Sequence, residues 1–395
     1  MRTPAQALEA LRALPCGADA LGSYGPEDGV LVVGGAVRDT LLGRTPRELD
    51  LVVTGDLGAA VARLAAGATD VRVHERFGSA TVTLADGCRL DLVRARAERY
   101  EGPGALPDVR PGTLDEDLRR RDVTVNAMAL GLDASLHAVD GALEDLRARR
   151  LRVLHDASFR DDPTRLWRVA RYAARLRFAV DEHTGELAAA ADPSTVSGDR
   201  LGAELRLALA EPDPFAALRA AQELNPRLLP PGFAVREAEA RAALELLPAE
   251  GRADLVVLAA CTAGMDLPAL LSWLDNLGFT AAERDLVAAA SRAVTAAPLR
   301  AARTNAAIAR AARGAPVEAV ALAGGEGARR WLDDLRHVRL EITGADLLAA
   351  GVPQGPELGE RLRRALDAKL EGGAPDRDAE LRAALDEDYP RTRAG

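Results

Sequence analysis

Two short runs of consecutive apolar residues stand near the start of the chain, Val30 to Val33 and Leu51 to Val53. Runs of this length bounded by turn residues predict buried strands. The segment between them opens at Gly34-Gly35 and continues as a helix-like stretch carrying Arg38. Further strands are expected around residues 80–84 and 88–93, joined by the Ala85-Asp86-Gly87 turn. The pattern then turns helical. Asp161-Asp162-Pro163 should open a helix running through Arg171 to about Leu176, with Asp as its N-cap and Pro at its first position. From about Pro212 the chain reads as Ala/Leu/Arg/Glu helices with short Gly/Pro breaks, one of them at residues 351–356.

This patterning brings chemistry with it. Gly34 and Gly35 allow a tight turn and close approach of a ligand to the backbone. The amides that follow favour an anion, and Arg38 adds a charge-assisted contact to a phosphate. Neither a Rossmann nor a Walker fingerprint is present. Glu48 and Asp50 enter the second apolar run two residues apart, so on a strand they share a face. Carboxylates so placed repel each other unless a cation lies between them, and magnesium commonly bridges carboxylates and substrate phosphates. Asp91, in another expected strand, is a candidate third ligand, although a cap or a surface ion pair would explain it equally well. The run Arg119 to Arg121 reads alone as a solvated basic face. Asp162 and Arg165, at i and i+3, share a helix face. They can form a simple salt bridge, or present an acceptor and a donor to the edge of a base.

The order of these motifs resembles the class II tRNA nucleotidyltransferases and bacterial poly(A) polymerases. The resemblance is carried by the glycine pair, Arg38-Asp39, Glu48-x-Asp50, Arg120-Arg121-Asp122 with Asn126, and Asp161-Asp162-Pro163-Thr164-Arg165, and it runs from about Val30 to about Leu209. It implies an α+β chain: a polymerase-beta-like nucleotidyltransferase head (residues 1–150, with a flexible loop at about 99–116), a helical neck (151–211) and an all-helical body and tail (212–395) that bind tRNA. It implies template-independent addition of C and A to the tRNA 3′ end from CTP and ATP, by a two-metal in-line mechanism. Glu48 and Asp50 would be catalytic and, with Asp91, would bind two Mg2+. Gly34, Gly35, Arg38, Arg121 and Asn126 would hold the triphosphate and sugar, Asp162 and Arg165 would select the base, and Arg168 and Arg171 would add nucleotide contacts. CC-only addition, A-only addition and poly(A) synthesis share these motifs, and an inactive RNA-binding module is the non-enzymatic alternative. Three departures are visible: Glu48 and Asp161 stand where the family usually has Asp and Glu, and Asp199 in Ser197-Gly198-Asp199-Arg200 replaces a Glu. Arg200 and the later Glu204 are expected to support the neck.

Composition adds limits. Hydrophobic residues at 48% and charged residues at 28% of 395 suit a soluble globular protein with two or more domains. The net charge of −9 confines any RNA contact to local basic faces. Candidates are Arg300, Arg303, Arg310 and Arg313, and the run Arg361-Leu362-Arg363-Arg364. Cys16, Cys88 and Cys261 lack metal-site spacing, which argues against a zinc site or disulfide framework and fits a reducing cytoplasm. No signal peptide or membrane span is expected.

Overall fold

The computed structural model describes all residues except 16, 76–77, 293–295 and 387–395. It divides into two compact units, Met1–Leu229 and Pro230–Gly395.

The first unit is built on a seven-stranded sheet. Its strands are β1 (Val30–Val33), β2 (Asp50–Val53), β3 (Ala68–His74), β4 (Ser79–Leu84), β5 (Arg89–Arg94), β8 (Met128–Gly131) and β9 (Leu136–Ala138), in the order β3-β4-β5-β2-β1-β8-β9. Strands β6 (Arg96–Arg99) and β7 (Asp108–Pro111) form a separate antiparallel pair. The apolar patterns match the positions. Central β1 and β8 are buried along their whole length, whereas β4 and β5 alternate, sending Val82, Leu90 and Leu92 inward. β2 lies antiparallel to β1 and parallel to β5, and the parallel register sets Asp50 opposite Asp91.

The stretch 99–116, expected as a loop, contributes strand β7 and the first residues of the Leu114–Arg119 helix. Its turn lies close against Arg160 and Thr195. The Gly104 amide donates to the Arg160 carbonyl at 3.0 Å, and a Cβ at Gly104 would come within 2.2 Å of the Thr195 carbonyl oxygen.

The Thr164–Leu176 helix buries Leu166, Trp167, Val169 and Ala170 against this unit. It begins one residue later than expected, with Pro163 at the N-cap. Asp162 still acts as the cap acceptor, taking hydrogen bonds from the Thr164 amide (3.1 Å) and hydroxyl (2.6 Å).

The described part of the second unit is helical. One core gathers around Val256, Ala312, Val320 and Leu332, and a smaller one around Ile342, Leu347 and Ala365. The expected break falls between the Gly344–Ala349 and Pro356–Leu370 helices, the first of which starts with a Thr343/Asp346 capping box. Within this unit Arg310 pairs with Asp367 at 2.9 Å, and Arg361 pairs with Glu357 at 2.7 Å. Arg300, Arg313 and Arg363 are exposed. Among the described residues no helix is long and apolar enough to cross a membrane. Cys261 is a buried free thiol and Cys16 lies outside the described residues. Cys88 is disulfide-bonded, a cross-link that spacing along the chain did not reveal.

Candidate active site

Gly34 ends β1 with φ 71° and ψ −132°, a backbone conformation that residues with a Cβ rarely adopt. A Cβ there would also lie 2.9 Å from a terminal nitrogen of Arg121. Both facts require glycine. Gly34→Ala is expected to cost about 1–3 kcal/mol in backbone strain and to displace Arg121. A lowered Tm with a raised nucleotide KM would confirm this, and wild-type values for both would refute it.

Arg38 follows on the Gly35–Leu41 helix and is only 1% exposed. Its guanidinium pairs with Asp39 at 2.8 Å, donates to Asn126 Oδ1 at 2.5 Å and lies 5.6 Å from the centre of the Tyr172 ring. Asn126 in turn donates to Asp122 Oδ1 at 3.0 Å, so it orients Arg38 rather than standing free.

Asp50 is the first residue of β2, and Glu48 precedes the strand as an exposed residue. The pair therefore does not sit within one ladder as expected, yet both line the same cleft. Burial raises the Asp50 carboxyl above its ordinary range, and the Glu48 charge pushes it the same way against the pull of Arg121. Asp91 adds its charge but does not line the cleft. It accepts from the Thr81 hydroxyl at 2.6 Å and lies 4.0 Å from Arg89. Among the described residues no three side chains form a ready metal-binding group. Glu48 and Asp50 do fit a cation that takes its remaining oxygen ligands from substrate phosphates and water: they are hard donors, and their mutual repulsion calls for positive charge.

Arg121 comes from the turn after the Leu114–Arg119 helix. It pairs with Asp117 at 3.0 Å, and its buried Nε has no hydrogen-bond partner among the described residues. Asp117 is fully buried and also takes Arg120 at 2.7 Å. Burial alone would raise the Asp117 carboxyl, but Arg120 and Arg121 hold it below the usual range. Its stabilising effect is thus present above the unfolded carboxyl value and is lost as pH falls through the lower folded one. Asp117→Ala should destabilise the first unit by about 3–5 kcal/mol at neutral pH, since it leaves two arginines around an empty buried position. Thermal melts at pH 7 and pH 3 test this, because the difference between variant and wild type should shrink at the lower pH. Asp122 is buried and bound by Arg168 at 2.7 Å. Burial opposes its ionisation, but Arg168 and the Asn126 amide keep it well below the ordinary range.

From the neck, Asp162 is gripped by Arg200 at 2.8 Å through the oxygen that already caps the helix. Arg165 is 4% exposed and donates to the Ser158 hydroxyl at 2.8 Å and the Arg120 carbonyl at 2.7 Å. Arg171 pairs with Glu204 at 2.7 Å and reaches Glu211 at 3.3 Å. Arg200 and Glu204, expected as neck supports, hold cleft residues and line the cleft themselves.

The catalytic, metal and nucleotide-binding residues named from sequence line this cleft of about 820 Å³, except Asp91. Eleven arginines line it against eight carboxylates, which gives a local excess of positive charge in an acidic protein. Sequence reasoning missed Tyr172, Arg175 and Glu211. Tyr172 carries Arg38, Arg168 and Arg175 over its ring at 5.6, 5.8 and 5.3 Å. A signal was present: Arg168, Arg171 and Arg175 follow i, i+3, i+7, a single helix face continued one turn past the motif.

Residues 30–152 match the model of the poly A polymerase head domain family. A CC-adding tRNA nucleotidyltransferase from Deinococcus radiodurans is 47% identical over 221 residues, covering 54% of this chain and 59% of that protein. An A-adding tRNA nucleotidyltransferase from Geobacter sulfurreducens is 33% identical, covering 90% of this chain and 45% of that protein. The chain spans about half the length of the curated relatives it matches. Among solved structures, the apo form II of a CCA-adding enzyme superposes with a TM-score of 0.81 at 27% identity, covering 97% of this chain and 98% of the other.

Proposed function

We propose the activity of this chain from its family: it belongs to the class II tRNA nucleotidyltransferases and bacterial poly(A) polymerases. The reading is template-independent transfer of CMP and AMP to a tRNA 3′ end, completing CCA from CTP and ATP in the cytoplasm. One observation carries it. A single arginine-rich cleft holds the acidic pair Glu48 and Asp50, the glycine turn and the Asp162/Arg165 pair together.

The tRNA 3′-hydroxyl oxygen attacks the α-phosphorus of the nucleotide. The bond to the bridging oxygen breaks, and pyrophosphate leaves. Gly34 and Gly35 let the backbone approach the triphosphate. Arg121, with its unpartnered buried Nε, and Arg38 face its negative charge. Glu48 and Asp50 would hold two Mg2+. When bound, these ions supply Lewis-acid activation of the hydroxyl and charge neutralisation at the leaving pyrophosphate. Asp162 accepts through one oxygen from Thr164 and Arg200, leaving the other for the exocyclic amine of cytosine or adenine. Arg165 has donors beyond the two it spends on Ser158 and Arg120, and these suit the ring acceptors of the same bases. Guanine and uracil present the wrong groups. The exposed arginines of the second unit, Arg300, Arg313 and Arg363, are the proposed contacts to the body of the tRNA.

CC-only addition is the second reading, favoured by the 47% identity to a CC-adding relative and by the turn of residues 99–116 hydrogen-bonded to Arg160. Incorporation on transcripts ending before CCA, after C and after CC separates the two. With CTP and ATP together, two C and then one A are expected. Arrest after CC would establish the second reading, long A tails would indicate poly(A) synthesis, and no incorporation by folded protein would overturn both enzymatic readings.

A further inference from the structure

One corner of the cleft lies beyond the residues that hold the triphosphate and the base. Glu211 lies just past the Gly198–Leu209 helix and is 6% exposed. Three guanidiniums converge on it, from Arg47 at 3.4 Å, Arg171 at 3.3 Å and Arg175 at 3.6 Å. Charge-assisted pairs normally close to about 2.7–2.9 Å. One carboxylate is thus shared among three cations and satisfies none at full strength. Arg171 has its own partner in Glu204. Among the described residues Arg47 and Arg175 have no second carboxylate, and the buried Nε of Arg175 has no hydrogen-bond partner. Arg44 joins them, reaching the Leu176 carbonyl at 3.5 Å. Against Glu204 and Glu211, these four arginines leave an excess of two positive charges, partly withdrawn from water.

Crowding is also felt by Arg175 itself. Its affinity for its proton is lowered by burial; Glu211 opposes this, and the neighbouring Arg38 and Arg47 add to it. Cations packed this closely gain most from an anion with several oxygens, because a phosphate accepts from more than one guanidinium at once. The corner also lies apart from the base-reading pair. Arg175 is ten residues beyond Arg165 on one helix, about 15 Å along its axis.

We propose that Arg44, Arg47 and Arg175 form a phosphate subsite, with Glu211 as the carboxylate that positions their guanidiniums. The phosphate comes either from the distal end of the nucleoside triphosphate or from a phosphodiester of the RNA strand. The inference rests on the nucleotidyl-transfer reading but is tested apart from it.

The test uses the full chain with Arg175→Gln and, separately, Arg47→Gln. Arg47 is half exposed, so its loss does not threaten the fold. Three quantities are read: metal-free binding of a tRNA transcript ending before CCA across a salt series, the KM for CTP, and the rise in Tm caused by tripolyphosphate. About a tenfold loss in at least one is expected. Weaker RNA binding, with the salt slope reduced by about one, assigns the phosphodiester. A raised KM for CTP with RNA binding unchanged assigns the triphosphate, as does a lost tripolyphosphate response. If both variants match wild type in all three, the subsite is refuted. If the wild-type protein incorporates nothing, the activity reading fails, while the tripolyphosphate and RNA arms still decide the subsite.

Discussion

Asp50→Asn is expected to abolish nucleotide incorporation, by on the order of a thousandfold or more, while leaving the protein at least as stable as wild type. The two halves of this expectation have one cause. The Asp50 carboxyl is raised by burial and by the charge of Glu48, so the fold disfavours its ionised form. A group whose folded value lies above its unfolded one costs stability as pH rises through that window. A neutral amide of the same shape removes it. The same substitution removes the less exposed member of the acidic pair Glu48 and Asp50 in the cleft. A group acting at the reacting atoms is worth far more in rate than in stability. Thermal melts at pH 7 and single-nucleotide incorporation with CTP test both halves on one preparation. Activity within about tenfold of wild type would remove Asp50 from the reaction. A large fall in Tm would mean that the carboxylate is structural.

The sequence carried much of this architecture, for reasons that can be traced residue by residue. The runs Val30 to Val33 and Leu51 to Val53 are legible because strands covered on both faces must be continuously apolar. The helix Thr164–Leu176 is legible because Asp followed by Pro favours a helix start, even though the first helical residue is displaced by one. The glycine turn was visible as a pair of letters. Its reason was not: the 2.9 Å approach of Arg121 comes from a segment some ninety residues away in the chain. Asp91 is the opposite case. The fold sets it opposite Asp50 in the parallel register, but the β4–β5 pairing also sets it beside Thr81, whose hydroxyl it accepts from. Glu211 could not be found from local pattern at all. It has meaning only as the acceptor of arginines from residues 47, 171 and 175, which the fold alone brings together. The segment 99–116 read as a loop from its Pro and Gly content, yet the pairing of Arg99 with Asp108 turns it into a hairpin.

Base choice offers the second large effect. Asp162→Asn should lower the preference for CTP over UTP by about 10- to 100-fold, the scale of one well-made pair of hydrogen bonds to a base edge. An ionised carboxylate can only accept, so it rewards the exocyclic amine of cytosine and repels the carbonyl that uracil places there. Asparagine can turn its amide to donate, and so loses the distinction. The structure supplies a control that separates reading from positioning. Arg200 grips the oxygen of Asp162 that caps the helix, at 2.8 Å, and also donates to the Gly104 carbonyl at 3.1 Å. Arg200→Ala frees Asp162 without altering what it can accept. Discrimination should therefore fall less than in Asp162→Asn, and the loss should appear in KM before kcat. The ratio of kcat/KM for CTP to that for UTP, on a transcript ending before CCA, is the deciding quantity. An unchanged ratio in folded Asp162→Asn protein would take base selection away from this carboxylate. A larger loss in Arg200→Ala than in Asp162→Asn would move it to the arginine, whose guanidinium would then be the group that meets the base.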